Sequence, residues 1–325
     1  MKILIDCMGG DNAPHAVVEG VALATKDFSE EIVLLGAEDE LRPLLEKHKL
    51  NVEIINTSDN ITSDDDAMDA IKNKRNSSMV VGLSALREGD GDAFVSAGNT
   101  GALVGAATLF ARRIKGVKRM ALSPLIPTKK GMTLLIDAGA NVDCNPEFLA
   151  QFGVMGSIYM QKVHKIERPR VGLLNVGTEI SKGHALIRET HGLLEQDDSI
   201  NFIGNIEARD VFDHACDVLV ADGFTGNVLL KTLEGTASMM SHYFKKAIYS
   251  NFFSKMGGLL VKPSLMEVYK TADYSKYGGA PMLGANGTVI KAHGSSGAEA
   301  FYHAIRQAIE FTKTGVTEAI GEKLS

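Results

Sequence analysis

Ala93-Phe-Val-Ser-Ala-Gly-Asn-Thr-Gly-Ala-Leu-Val-Gly-Ala-Ala-Thr-Leu-Phe-Ala111 carries no charged side chain over 19 residues and runs straight into Arg112 and Arg113. A hydropathy scan would take it for a membrane span. Its middle argues otherwise, because Ser96, Gly98, Asn99, Thr100 and Gly101 would sit at the bilayer centre, where no water satisfies polar groups. The stretch reads better as a strand from Ala93 to Ser96, a tight turn, and a buried Ala-rich helix that starts at Asn99 and reaches Phe110. A strand whose polar end feeds a helix N-terminus is the repeating unit of a wound α/β sheet.

The unit recurs along the chain. Apolar runs from Ile3 to Cys7, Ile32 to Gly36, Val52 to Asn56, Thr133 to Asp137, Val171 to Asn175, Asn201 to Gly204 and Val218 to Ala221 alternate with helical patterns. Their near-continuous hydrophobicity means that both sheet faces are covered. Further helix starts are signalled at Asn12, with Pro14 behind it, and at Asn145, with Pro146. The pattern predicts an α/β fold on a mostly parallel sheet. A chain of 325 residues is long enough for two domains. No proline-rich or serine-rich linker, repeat or low-complexity tract divides it, so residues 1–325 read as a single α/β domain with a central cleft.

Composition removes several classes. Apolar residues at 45% and charged residues at 23% are those of a globular protein. A net charge of −6, from 34 basic and 40 acidic residues, leaves no basic excess for general nucleic-acid binding. Cys7, Cys144 and Cys216 are odd in number and form no CxxC pair, which supports neither a disulfide framework nor a zinc knuckle and fits a reducing cytoplasm. Asp6 interrupts the opening where a signal peptide would need an apolar run, so secretion is not expected.

Polar residues and glycines gather at the ends of the apolar runs, where open α/β sheets hold ligands. The segments are Asp6 to Asp11, Ser96 to Gly101, Asp137 to Asn141, Asn175 to Glu179, Asp222 to Asn227, and Gly278 to Gly287. Glycine lets backbone approach a ligand closely, and Ser, Thr and Asn offer neutral hydrogen bonds, so the set fits an anion cleft. Any one segment taken alone is equally a strand-to-helix turn. No GxGxxG, GxxxxGK[ST], HExxH or GxSxG motif is present. The run Asp64-Asp65-Asp66 reads as a solvated helix start before a metal site. Lys182, in Gly177-Thr-Glu-Ile-Ser-Lys-Gly183, follows a strand and precedes a helical stretch from His184 to Leu194. It is either a solvated loop lysine or a mobile charge over the cleft. His184, His214 and His293 have no spacing that pairs them with a nucleophile and read as structural or surface residues.

Taken together, MKILIDCMGGDNAP at the start, SAGNTGA (96–102), IDAGAN (136–141), NVGTE (175–179) followed by SKG (181–183), ADGFTGNVLLK (221–231) and YGGAPMLGANGTVIKAHGSS (277–296) resemble the bacterial phosphate acyltransferase family, PlsX. The likeness spans nearly the whole chain. It departs at Cys7, where a small residue such as alanine is expected, and the thiol reads as packing. The resemblance implies a three-layer α/β/α sandwich like that of isocitrate and isopropylmalate dehydrogenases, with two intertwined lobes, assembled as a homodimer. It also implies transfer of a fatty acyl group from acyl carrier protein to inorganic phosphate. The acyl phosphate feeds phosphatidic acid and phospholipid synthesis through a downstream glycerol-3-phosphate acyltransferase. For the site, it points to Lys182 and Asn227 as catalytic, with Ser96, Gly98, Asn99, Thr100 and Gly226 around the phosphate. The carrier's thiolate leaves readily, so the chemistry requires no cofactor and no metal.

Two segments suit the implied partners. Arg112, Arg113, Lys115, Lys118 and Arg119 form a basic cluster that would steer an acidic carrier protein, or simply solvate a helix end. Residues 244–270 hold five lysines, including Lys270, against Glu267 alone, among apolar side chains such as Phe252, Phe253, Leu259, Leu260 and Leu265. A protruding basic, apolar helical hairpin of this kind fits contact with an anionic membrane, peripheral on the cytoplasmic face; a dimer contact or carrier dock has the same pattern. Two other functional readings compete with acyl transfer. A metal-dependent decarboxylating dehydrogenase on the same fold would need converging aspartates, which the spacing lacks. A non-enzymatic membrane scaffold would leave the polar strand ends without purpose.

Overall fold

The computed structural model describes residues 1–272 and 278–325. Tyr277, at the head of the last motif, and the side chains of Leu265 and Lys270 lie outside the described residues. In chain order the strands are β1 (Lys2–Asp6), β2 (Glu31–Gly36), β3 (Glu53–Asn56), β4 (Ala93–Ser96), β5 (Ala121–Leu122), β6 (Leu125–Thr128), β7 (Gly131–Ile136), β8 (Arg170–Asn175), β9 (Asn201–Glu207), β10 (Val218–Val220), β11 (Ala280–Leu283) and β12 (Thr288–Lys291). The helices are α1 (His15–Asp27), α2 (Glu38–His48), α3 (Ala67–Asn73), α4 (Ser78–Glu88), α5 (Thr100–Ala106), α6 (Pro146–Lys162), α7 (Ala185–Glu195), α8 (Gly223–Ile248), α9 (Phe252–Ala272), α10 (Ala298–Lys313) and α11 (Val316–Leu324).

Two sheets result. One runs β3-β2-β1-β4-β12-β11-β5 and the other β6-β7-β10-β8-β9. All pairs are parallel except β5–β11, β11–β12 and β6–β7. The chain leaves the first sheet after β5, builds the second, and returns for β11 and β12, so the two lobes are interleaved in sequence.

Helices cover both faces of each sheet because strand side chains alternate. In β1, Ile3 and Ile5 pack with Val17 of α1 and Phe301 of α10, while Leu4 packs with Leu83 of α4 on the opposite face. In β7, Leu134 and Ile136 join Phe152 of α6, and Leu135 joins Leu229 and Leu233 of α8. Each such buried aliphatic side chain contributes roughly 1.5–3 kcal/mol. This is the three-layer arrangement.

Four features differ from the sequence reading. Strands β5, β6 and β11 are hidden in the sequence because Pro124, Pro127 and Pro281 break the apolar pattern, and β12 because its apolar core is only Val289 and Ile290. The β11–β12 hairpin turns through Gly284 (φ 89°) and Gly287 (φ 130°), backbone conformations that favour glycine. Asn12 does not cap α1; its Nδ2 donates to the carbonyls of Ser295 (3.1 Å) and Ser296 (3.3 Å), tying the first turn to the last. The Ala-rich helix after Asn99 is α-helical only to Ala106 and widens into a π-turn over Ala107–Ala111, ending at Arg112 (φ 66°). The expected boundary at Phe244 falls inside α8, which is unbroken from Gly223, so the helical pair of α8 and α9 begins at the sheet itself.

Candidate active site

Strands β1, β4 and β12 are neighbours and parallel, so their C-terminal ends meet at one edge. Asp6 ends β1 and is 1% exposed. Its Oδ1 accepts from Ser78 Oγ (2.6 Å) and the backbone N–H groups of Met8 (3.1 Å) and Gly9 (3.2 Å). Its Oδ2 accepts from Ser96 Oγ at 2.6 Å, and Ser96 Oγ in turn accepts from Gly98 N at 3.0 Å. A carboxylate surrounded by donors fixes the start of the Ser96–Gly101 turn. Asn99 completes the turn: its Oδ1 accepts from Ala102 N (3.1 Å), capping α5. Ser96, Gly98 and Asn99 thus shape the turn, while Thr100 and Gly101 line the cavity beside it.

A second buried carboxylate organises the other lobe. Asp137 Oδ1 accepts from the backbone of Leu122 (2.9 Å), Gly139 (3.2 Å) and Ala140 (3.1 Å), and Oδ2 from Asn141 N (2.7 Å) and Nδ2 (2.9 Å). Burial raises its pKa against the pull of these donors. Because Leu122 belongs to β5, Asp137 also fastens one sheet to the other. α8 starts above this loop, with Asp222 accepting from Thr225 N (2.9 Å). Gly226 passes so close that a Cβ there would stand 1.9 Å from the Asp137 carbonyl oxygen. Asn227 is carried by that first turn and faces Gly139 across the cavity edge.

Between the lobes lies a cavity of about 1310 Å³. Its polar lining includes Thr100, Asn227, Lys231, Lys291 and His293 together with the carboxylates Glu234 and Glu299; Asn227 and Lys231 are one helical turn apart on α8, and Lys231 pairs with Glu234 at 2.7 Å. Its apolar lining includes Leu122, Leu125, Ile126, Phe212, Leu230 and Leu233. Lys291 was not singled out from the sequence. It is 8% exposed, and its Nζ donates to the carbonyls of Ala97 (3.3 Å) and Ala292. Burial lowers its pKa to about 8; Asp6 and Asp11 oppose that shift and Lys231 reinforces it. Strand β12 pairs in parallel with β4 so that Lys291 lies opposite Ser96. The short β-branched run Thr288-Val-Ile290 directly after Gly287 is the sequence signal for this strand. His293, exposed as its surface reading expects, also lines the cavity. Desolvation lowers its pKa, so it is neutral at pH 7, and the Ser295 N–H donating to Nδ1 (3.2 Å) assigns the ring proton to Nε2.

Other sequence candidates lie elsewhere. Lys182 is exposed in the loop after β8, where its carbonyl accepts from Asn175 Nδ2 (3.2 Å); it is not among the cavity-lining residues. In the basic cluster, Lys118 pairs with Glu147 and Arg119 stacks over Phe148 at 5.4 Å, while all five side chains remain exposed. Phe253 and Leu260 of α9 are 83% and 81% exposed, and Phe252 and Leu259 are also exposed. Among the described residues no helix is long and apolar enough to cross a membrane. His214 bridges Thr128 and Asp217. Asp66 caps α3, and Asp65 pairs with Lys74, which lowers its pKa. Cys7 is fully buried and its thiol pKa is well raised by burial. Burial also pushes Cys144 and Cys216 up to about 12, so all three are thiols, not thiolates, at neutral pH.

The chain matches the family described as "Fatty acid synthesis protein" over residues 1–319. It is 46% identical over 325 residues to a phosphate acyltransferase of Thermoanaerobacter pseudethanolicus, covering 100% of this chain and 97% of that protein. It is 47% identical over 326 residues to one of a Geobacillus species, covering 100% and 98%. Among solved structures, a phosphotransacetylase from Streptococcus pyogenes superposes with a TM-score of 0.64 at 18% identity, over 98% of this chain and 94% of that one. A 4-hydroxythreonine-4-phosphate dehydrogenase from Klebsiella pneumoniae shares the fold at a TM-score of 0.55 and 12% identity, over 96% and 98%. With its motifs, both lobes and nearly its full length accounted for, the chain belongs to the fatty acid synthesis protein family.

Proposed function

We propose that the interlobe cavity transfers a fatty acyl group from the thiol of an acyl carrier protein to inorganic phosphate. The observation that carries this reading is the two-sided lining of one cavity. Thr100, Asn227, Lys231 and Lys291 offer donors and positive charge, and Leu125, Ile126, Phe212, Leu230 and Leu233 offer an apolar wall. The first set suits phosphate and a developing oxyanion, and the second suits an alkyl chain. The names of the relatives at 46–47% identity support the same reaction.

The chemistry balances without a covalent enzyme intermediate. A phosphate oxygen attacks the thioester carbonyl, the C–O bond forms and the C–S bond breaks, and the phosphate hydroxyl proton ends on the carrier thiol. Phosphate is a weak, heavily hydrated nucleophile, so the cleft must strip its water and hold it in line. Lys182 and Asn227 serve as the reacting pair, with Asn227 orienting a reacting oxygen and Lys182 reaching the cleft from its loop. The turn residues Ser96, Gly98, Asn99 and Thr100, together with Gly226, form the phosphate cradle, Thr100 by contact and the others by setting backbone geometry. Release of carrier thiol from an acyl carrier protein thioester tests the reaction: release should depend on added phosphate, and phosphate-independent release would mark a hydrolase instead.

The finer partners follow from the surface. The exposed basic turn from Arg112 to Arg119 docks the acidic carrier protein by electrostatic steering. Phe252, Phe253, Leu259 and Leu260 rest on an anionic membrane at the cytoplasmic face, where the acyl phosphate is handed to a glycerol-3-phosphate acyltransferase. The working unit is a homodimer.

A further inference from the structure

Lys291 is an unusual lysine. A lysine buried this deeply in a protein is normally paired, since an isolated ammonium removed from water is costly. Here the partners are two neutral carbonyls, those of Ala97 and Ala292, which use two of its three N–H donors. Among the described residues no carboxylate stands within 4.0 Å of its Nζ to form an ion pair. The charged groups that face it are Asp6 of β1, Asp11 of the loop that follows, and Lys231 of α8. Asp6 already accepts from Ser78, Ser96, Met8 and Gly9, and Lys231, itself ion-paired with Glu234 at 2.7 Å, adds a like charge. The Ala97 carbonyl that Lys291 grips belongs to the same turn as Thr100, and both side chains line the cavity.

We infer that Lys291 is the counter-ion of a built anion site in the cleft, its third N–H donor and its charge taking the inorganic phosphate that accepts the acyl group. The inference rests on the acyl-transfer reading and adds to it the residue that holds the nucleophile. Two carbonyls fix the ammonium in direction, so the site is formed before phosphate arrives, and phosphate supplies the negative charge that the protein leaves out. Lys182, exposed on its mobile-length side chain, is then released from holding phosphate and left to the oxyanion or the carrier.

A second role is open to any buried lysine, namely holding two loops together, and the test must separate the two. Protein labelled with ¹³C at lysine Cε is titrated with inorganic phosphate alone, without acyl donor. If Lys291 binds phosphate, its resonance shifts and its titration midpoint rises; a resonance indifferent to phosphate overturns the inference. Kinetically, Lys291→Met should raise the KM for phosphate by about 10- to 100-fold, the worth of a charge-assisted hydrogen bond, while leaving the KM for the acyl carrier protein substrate near its wild-type value. An unchanged phosphate KM overturns it, as does an equal rise in both. Should the variant not fold, the labelled wild-type protein decides. A wild-type protein that shifts with phosphate yet transfers no acyl group would sink the reaction and leave the anion site standing.

Discussion

Gly226 and Gly235 lie on the same helix, and the same substitution should have opposite effects at the two. At Gly226 an added methyl would sit 1.9 Å from the carbonyl oxygen of Asp137 and 3.1 Å from its carbon, both backbone atoms held by the five hydrogen bonds to the Asp137 side chain. Ordinary contact begins near 3.4 Å, so the first turn of α8 must retreat by about 1.5 Å. Overpacking of this kind costs about 1–3 kcal/mol, against which alanine's helix propensity returns at most about 1 kcal/mol. Asn227, the next residue, moves with the turn, and a misplacement of about 1 Å is enough to cost on the order of 100-fold in rate. Gly235 is exposed and a methyl there meets nothing within 4 Å. Gly235→Ala should therefore stabilise by up to about 1 kcal/mol and keep full activity. Urea unfolding and phosphate-dependent thiol release, measured on both variants, provide the comparison. If Gly226→Ala were as stable and as active as Gly235→Ala, the placement of Asn227 by this close approach would be wrong.

Three further outcomes are expected. Lys291 has a pKa of about 8 in the folded protein against 10.5 for an ordinary lysine; as pH rises between those values the folded state has lost this proton while the unfolded chain keeps it. Stability of the wild type should therefore gain about 3 kcal/mol relative to Lys291→Met across that interval, and show no relative change below it, in urea titrations at each pH. Asn227→Ala and Lys182→Ala should each lower turnover by about 2.7–4 kcal/mol of transition-state stabilisation with little change in thermal unfolding; a near-normal rate in either removes that residue from the reaction. Leu259→Glu with Leu260→Glu should weaken flotation on vesicles rich in anionic lipid and spare activity toward the carrier protein in solution; unchanged flotation removes the membrane contact, and a shift from dimer to monomer in light scattering would reassign these leucines to the subunit interface.

The central parallel strands were legible from their apolar runs, whereas β12, although buried on both faces, was not. Ile3 to Ile5 and Val218 to Val220 are continuous in Ile, Val and Leu, and strands β1 and β10 contain them. Strands that contain proline, such as β6 with Pro127 and β11 with Pro281, gave no such run. The loss mattered for the site, because without β12 the side chain of Lys291 had no sheet to place it next to β4. Asn145 illustrates a local signal that sufficed: its Oδ1 accepts from Phe148 N at 3.0 Å with Pro146 in the first turn. Ser96 illustrates the converse. A serine at a strand end reads as a free hydroxyl, and only the fold reveals Asp6, 90 residues away in sequence, as the acceptor that claims it.

The central step of the proposed reaction is attack by a phosphate oxygen on the acyl carbonyl. Phosphate carrying ¹⁸O at all of its oxygens, supplied with an acyl carrier protein thioester, allows the product to be weighed by mass spectrometry. Direct attack predicts an acyl phosphate that retains every labelled oxygen, including the one bridging carbon and phosphorus, formed in equal amount to the thiol released. Free fatty acid bearing a solvent oxygen, or thiol released with no labelled acyl phosphate, would contradict it.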